Sequence, residues 1–76
     1  MVTAYIMIKA NTGDADRLRE EVSVLDGVTS AHIVAGDVDL IVKVDVPSPA
    51  EVKEIATTAL SDIRGVETTQ TYLAME

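Results

Sequence analysis

The sequence predicts an α+β domain in which a four-stranded antiparallel sheet carries two helices on one face. Three observations predict it. Runs of β-type residues stand at both ends and in the middle of the chain, the first of them in strict apolar–polar alternation; two apolar stripes at helical spacing lie between them; and glycine or proline marks most of the changeovers.

Val2 to Lys9 sets Val2, Ala4, Ile6 and Ile8 against Thr3, Tyr5, Met7 and Lys9, the period of a half-buried strand. Asn11-Thr12-Gly13 breaks the run. From Asp14 to Leu25, the residues Ala15, Leu18, Val22 and Leu25 share one helical stripe, with Asp16, Arg17, Arg19, Glu20 and Glu21 outside it. Asp14 is the predicted N-cap, the early acids suit the positive end of the helix dipole, and Gly27 is the predicted stop. Val28 to Ala35 and Asp39 to Val46 are β-rich runs joined by Gly36-Asp37-Val38, which reads as a hairpin.

Pro47 closes the second of these runs. Ser48-Pro49-Ala50-Glu51 is a capping box with proline at the first helical position. Val52, Ile55, Ala56, Ala59, Leu60 and Ile63 then form an apolar face, and Gly65 stops the helix. Val66 to Met75, rich in Thr and Tyr, is the last strand. The order β-α-β-β-α-β is the split βαβ or ferredoxin-like arrangement, and right-handed crossovers put both helices on one side. No linker or low-complexity run is visible, so residues 1–76 are expected to form one domain.

Composition narrows the function. A net charge of −7, from 13 acids and 6 bases, argues against direct nucleic-acid binding, which rests on clustered Lys and Arg. The acidity reads as a solubilising surface. With no cysteine and His32 as the single histidine, neither a disulfide framework nor a Cys/His metal site is available, and no cofactor is expected. No run approaches the roughly 20 apolar residues of a membrane span, and no secretory signal is visible. A cytoplasmic location without membrane association is expected.

A chain this short buries only roughly 60–65% of its unfolded surface, and small folds draw support from disulfides, metals or partner subunits. Self-association is the support left. The sheet face away from the helices is expected to carry Tyr5, Met7 and Ile41, with either Gln70 and Tyr72 or Thr69, Thr71 and Leu73 according to register. Two such faces packed sheet to sheet make a symmetric dimer.

Catalysis is not expected: a nucleophile needs a positioned base, and the lone His32 sits mid-strand. A small dimeric αβ-barrel enzyme is the alternative, and it requires His32 in a closed cavity. Two polar features interrupt the apolar strands, the hairpin residues Gly36, Asp37, Val38 and Asp39, and the pair Thr69 and Thr71, which share a strand face. Turn chemistry and β-propensity explain them without a ligand. They also have the makings of a zwitterion site, with hairpin N–H groups for a carboxylate, an aspartate for an ammonium, and hydroxyls to complete the set.

The segment Val28-Thr29-Ser30-Ala31-His32-Ile33-Val34-Ala35-Gly36-Asp37-Val38-Asp39-Leu40-Ile41-Val42-Lys43-Val44 resembles the Gly-Asp-aromatic-Asp hairpin of the effector domain in the Lrp/AsnC family. The tail from Ile63 to Glu76, with Gly65-Val66, Thr69 and Thr71, resembles that family's closing strand, and the likeness runs from Val2 to Met75. It implies a RAM domain, named for regulation of amino-acid metabolism. In that family such domains pair through their sheets, dimers gather into octameric or decameric rings, and a small amino acid binds between dimers near the hairpin. Carried over by position, the effector-binding residues are Gly36, Asp37, Val38, Asp39, Thr69 and Thr71. Val38 departs from the usual aromatic.

Family regulators also carry an N-terminal helix-turn-helix domain, which this sequence lacks. The resemblance thus implies a stand-alone amino-acid-sensing module, with full-length regulators as possible partners through mixed assembly. A ligand-free structural assembly partner is the other alternative.

Overall fold

Strand β1 (Val2–Ala10) fixes which side of the sheet is the core: Ala4, Ile6 and Ile8 are buried, whereas Tyr5 and Lys9 are exposed. In the computed structural model, which describes residues 1–11 and 13–75, it is followed by α1 (Ala15–Ser23), β2 (Val28–Ile33), β3 (Leu40–Val46), α2 (Pro49–Asp62) and β4 (Val66–Leu73). Thr12 of the predicted turn and Glu76 of the closing motif lie outside the described residues. The sheet runs β2-β3-β1-β4, every neighbouring pair antiparallel. This is the predicted ferredoxin-like βαββαβ fold.

The core is aliphatic. Leu18 and Val22 from α1 and Val52, Ile55 and Ala59 from α2 meet Ile6, Ile8, Leu40, Val42 and Val44 from the two central strands. Strand β3 alternates without exception, with Leu40, Val42, Val44 and Val46 buried and Ile41, Lys43 and Asp45 turned away. Among the described residues no helix is long and apolar enough to cross a membrane.

The first helix differs from its predicted extent. It ends at Ser23, and Gly27 does not stop it. Val24 is exposed, so another turn would bury nothing there. The bonds Leu25 N to Val22 O (3.1 Å) and Val28 N to Leu25 O (3.2 Å) instead tighten the chain into β2. Gly27, at φ +94°, serves a close approach: a Cβ there would lie 2.6 Å from Val46 Cγ1 and 3.0 Å from Ile55 Cδ1. Its carbonyl accepts a hydrogen bond from Asp45 N at 2.9 Å, holding the turn against the end of β3.

Neither predicted cap forms as expected. Asp14 makes no side-chain capping bond; its carboxylate accepts from Arg17 Nε at 3.1 Å. Arg17 also meets Glu21 and donates to Arg64 O at 2.8 Å, joining α1 to the turn after α2. At α2, Ser48 Oγ donates to Glu51 Oε2 at 3.3 Å and not to an orphan N–H; the turn closes by Glu51 N to Ser48 O at 3.1 Å, with Pro49 in the first turn as predicted. The hairpin is also looser than predicted. Strand β2 stops at Ile33 and β3 starts at Leu40, leaving Val34 to Asp39 as its loop.

Candidate functional site

Within the loop, Asp39 is a structural clip. Its N–H donates to Ile8 O (2.9 Å), its carbonyl accepts from Val34 N (2.9 Å), and its Oδ2 accepts from Ala10 N (2.8 Å). The clip seizes the end of β1 where the β1–β4 register shifts, between Lys9 and Ala10. Gly36, at φ +155°, has a backbone that side chains rarely adopt, and nothing stands within 4 Å of the position its Cβ would take. Asp37 is exposed, and among the described residues its carboxylate makes no hydrogen bond or ion pair. Val38 is half-buried. The loop therefore presents one open carboxylate and an unobstructed stretch of backbone on a firmly tied base.

The threonines lie elsewhere. Register pairs Thr69 with Ile8, Thr71 with Ile6 and Leu73 with Ala4, all residues on the helix side of β1. Together with α2 they line a groove of about 310 Å³ bounded by Lys53, Ala56, Leu60, Thr69, Thr71 and Leu73. Leu60 is 48% exposed and Leu73 is 44% exposed, so the predicted helix face is wider than the core needs and its last part opens on this groove. Lys53 was not singled out from the sequence. Its signal is a second stripe on α2, since Lys53, Ala56, Thr57 and Leu60 stand at i, i+3, i+4 and i+7 beside the core stripe.

One subunit does not bring the six candidates together. Thr69 is separated from Leu40 by Ile8, two strand spacings or roughly 10 Å. None of Gly36, Asp37, Val38 and Asp39 lines the groove. A second groove, of about 380 Å³, lies between the α1–β2 turn and the start of α2, and it too contains none of them.

The register also settles the uncovered face: Tyr72 pairs with Tyr5 and Gln70 with Met7, opposite Ile41. These four apolar side chains form a contiguous patch in a frame of polar ones. Tyr5 is 37% and Tyr72 54% exposed. Around them stand Ser30, His32, Lys9, Lys43, Thr68 and the pair Thr3 and Asp45. The face is thus more polar than expected. His32 is exposed opposite Ile41 and belongs to neither groove, so the closed cavity that the αβ-barrel enzyme alternative requires is not formed around it. Among the described residues no group of three or more His, Asp or Glu is placed to hold a metal ion.

Hydroxyls from Thr3 and Thr29 donate to the two oxygens of Asp45. The bond from Thr3, then that from Thr29, holds the carboxyl below its ordinary value; desolvation opposes this and Lys43 adds to it. A lowered folded-state value stabilises the fold above the unfolded value, about pH 4, and this contribution vanishes as pH falls through the folded value. Asp45→Asn is therefore expected to be less stable than wild type at pH 7. The difference should shrink towards pH 2, as urea unfolding at a series of pH values would reveal; a gap that stays constant over that range would contradict the assignment.

Known proteins add four findings. Residues 3–76 match the family model of the Lrp/AsnC ligand binding domain. An uncharacterised HTH-type transcriptional regulator of Pyrococcus abyssi is 35% identical over 77 residues, covering 97% of this chain and 51% of that protein. The leucine-responsive regulatory protein of Haemophilus influenzae is 25% identical, covering 100% of this chain and 46% of its own length. The chain thus spans about half the length of these curated relatives. Among solved structures, TTHA0845 of Thermus thermophilus superposes with a TM-score of 0.91 at 29% identity, covering 100% of this chain and 95% of that one.

Proposed function

This chain belongs to the Lrp/AsnC ligand-binding domain family, and from that premise we propose that it is a single effector-binding domain that self-associates and takes a small amino acid between subunits. The family is one of transcription regulators and not of enzymes. The observation that carries the reading is the separation within one subunit of the loop around Asp37 from the groove at Thr69 and Thr71. Each half is incomplete. The loop offers open backbone and a carboxylate for an ammonium; the groove offers hydroxyls, an ammonium at Lys53 for a carboxylate, and the apolar walls of Leu60 and Leu73. A zwitterion with an apolar side chain fits the sum, and only apposed subunits bring the halves together. The uncovered patch of Tyr5, Met7, Ile41 and Tyr72 supports pairing through the sheets, with higher rings built from such pairs. Full-length regulators of the same family are the natural partners for mixed assembly.

A ligand that binds only the folded assembly adds about 2.7 kcal/mol at a hundredfold excess over its dissociation constant. For a domain of this length that raises the melting temperature by roughly 10–20 °C. A melting panel of the amino acids is expected to give such a shift for at least one of them, with light scattering reporting the assembly. Asp37→Asn should abolish the shift while leaving the ligand-free melt unchanged, because Asp37 is exposed. No shift with any amino acid would leave a ligand-free assembly partner in place of a sensor.

A further inference from the structure

We propose that the groove between α2 and β4 is by itself, within one subunit, a binding site for a short aliphatic α-oxo monocarboxylate. That is the class of molecule an aliphatic amino acid becomes when a carbonyl replaces its ammonium. The site rests on the reading above only in that the same groove supplies half of the amino-acid site; it needs no second subunit.

Charge is the first support. The chain has 13 acids and 6 bases, yet among the described residues lining this groove Lys53 alone is charged. Lys53 is exposed, and among the described residues its ammonium makes no hydrogen bond or ion pair. The acids nearest to it in sequence, Glu51 and Glu54, line the other groove. Asp62 at the end of α2 and Glu67 on β4 line neither. The open carboxylate of Asp37 belongs to the hairpin loop, away from this groove. One anionic group is therefore what the groove complements.

Hydroxyls are the second support. Thr57, Thr69 and Thr71 line the groove, and among the described residues none of their hydroxyls makes a hydrogen bond. Each can donate to a carboxylate or carbonyl oxygen.

Shape is the third. The chain doubles back between Asp62 and Val66, so Lys53 stands at one end of the groove and Leu60 and Thr69 at the other, with Ala56 and Thr71 between. Lys53 and Leu60 are roughly 10 Å apart along the helix. A carboxylate held at Lys53 directs an aliphatic tail over Ala56 towards Leu60, whose half-exposed side chain it would cover. The volume of about 310 Å³ is at the small end of ligand pockets, which run roughly 300–1,000 Å³.

The same geometry disfavours an ammonium in the lone subunit. In an amino acid that group sits on the carbon next to the carboxylate, so it would stand beside Lys53 with no acid lining the groove, and like charges at short range repel. A carbonyl in its place accepts a threonine hydroxyl instead. A dicarboxylate would press its second charge, unpartnered, against the apolar wall.

Isothermal titration calorimetry of the wild-type chain with α-ketoisocaproate, the α-oxo acid with the carbon skeleton of leucine, tests this. One saturable site per subunit is expected, with a dissociation constant below about 1 mM. The dicarboxylate α-ketoglutarate should bind at least tenfold more weakly. Lys53→Met, which keeps the apolar stem and removes the charge, should also weaken α-ketoisocaproate at least tenfold, and Ala56→Leu should do so by filling the floor. Asp37→Asn should bind it as wild type does. No saturable binding, or binding unchanged in both Lys53→Met and Ala56→Leu, would overturn the proposal, and so would its loss in Asp37→Asn. If α-ketoisocaproate fails while an amino acid still shifts the melt, the amino-acid reading stands without this one. Binding of α-ketoisocaproate with no response to any amino acid would sink that reading and leave this one standing.

Discussion

Ile6→Ala is expected to remove about 2–5 kcal/mol of folding stability. Ile6 is 1% exposed on β1, the strand hydrogen-bonded on both sides, and it stands between Val42 and Thr71 in the register. Truncation removes buried methyl and methylene groups and leaves a cavity that two hydrogen-bonded neighbours cannot collapse to fill. Domains hold roughly 0.05–0.15 kcal/mol per residue, so a chain this short has about 4–11 kcal/mol in all, and the substitution takes a large share of it. Urea unfolding is the measurement: the midpoint should fall with the slope unchanged. A loss under about 0.5 kcal/mol, the usual cost of a surface change, would mean that Ile6 faces water and that the strand register is off by one.

Gly27→Ala is expected to cost about 2–5 kcal/mol, from two sources that add. A side chain at φ +94° costs about 1–2 kcal/mol in the backbone. Its Cβ would also overlap Val46 Cγ1 at 2.6 Å, an overpacking worth roughly 1–3 kcal/mol. The overlap cannot relax cheaply, because Val46 is stiff at χ1 and the turn is fastened by the bond from Asp45 N to Gly27 O. The double variant Gly27→Ala/Val46→Ala separates the two sources. Removing Cγ1 should relieve the clash, so the double variant should be more stable than the sum of the single losses predicts. Strict additivity would show that the close approach is absent and the backbone carries the whole effect.

Local patterns read the elements well because each had a period and a boundary residue. The β-rich run from Asp39 to Val46 became β3 less its first residue, and the Ser48-Pro49 signal marked the start of α2 although its capping bond did not form. Gly27 was misread for an equally local reason: a glycine after a helical stripe looks like a terminator, and nothing in sequence reveals that Val46 and Ile55 will lie against it. Asp39 was read as a possible ammonium acceptor because an aspartate in a hairpin has no visible partner. Its partners, Ile8 and Ala10, are on a strand about thirty residues earlier, and they make it part of the scaffold beneath Asp37.

By itself the sequence determined the βαββαβ order, the aliphatic core and the absence of cysteine-based chemistry, since each follows from residue type and spacing along the chain. Tertiary structure alone decided the register, because a slip of one residue exchanges the two faces of a strand and no local energy distinguishes the choices. That register sent Thr69, Thr71 and Leu73 to the groove beside α2 and left Gln70 and Tyr72 on the open face. It thereby divided the candidate site into two halves that a single subunit holds apart.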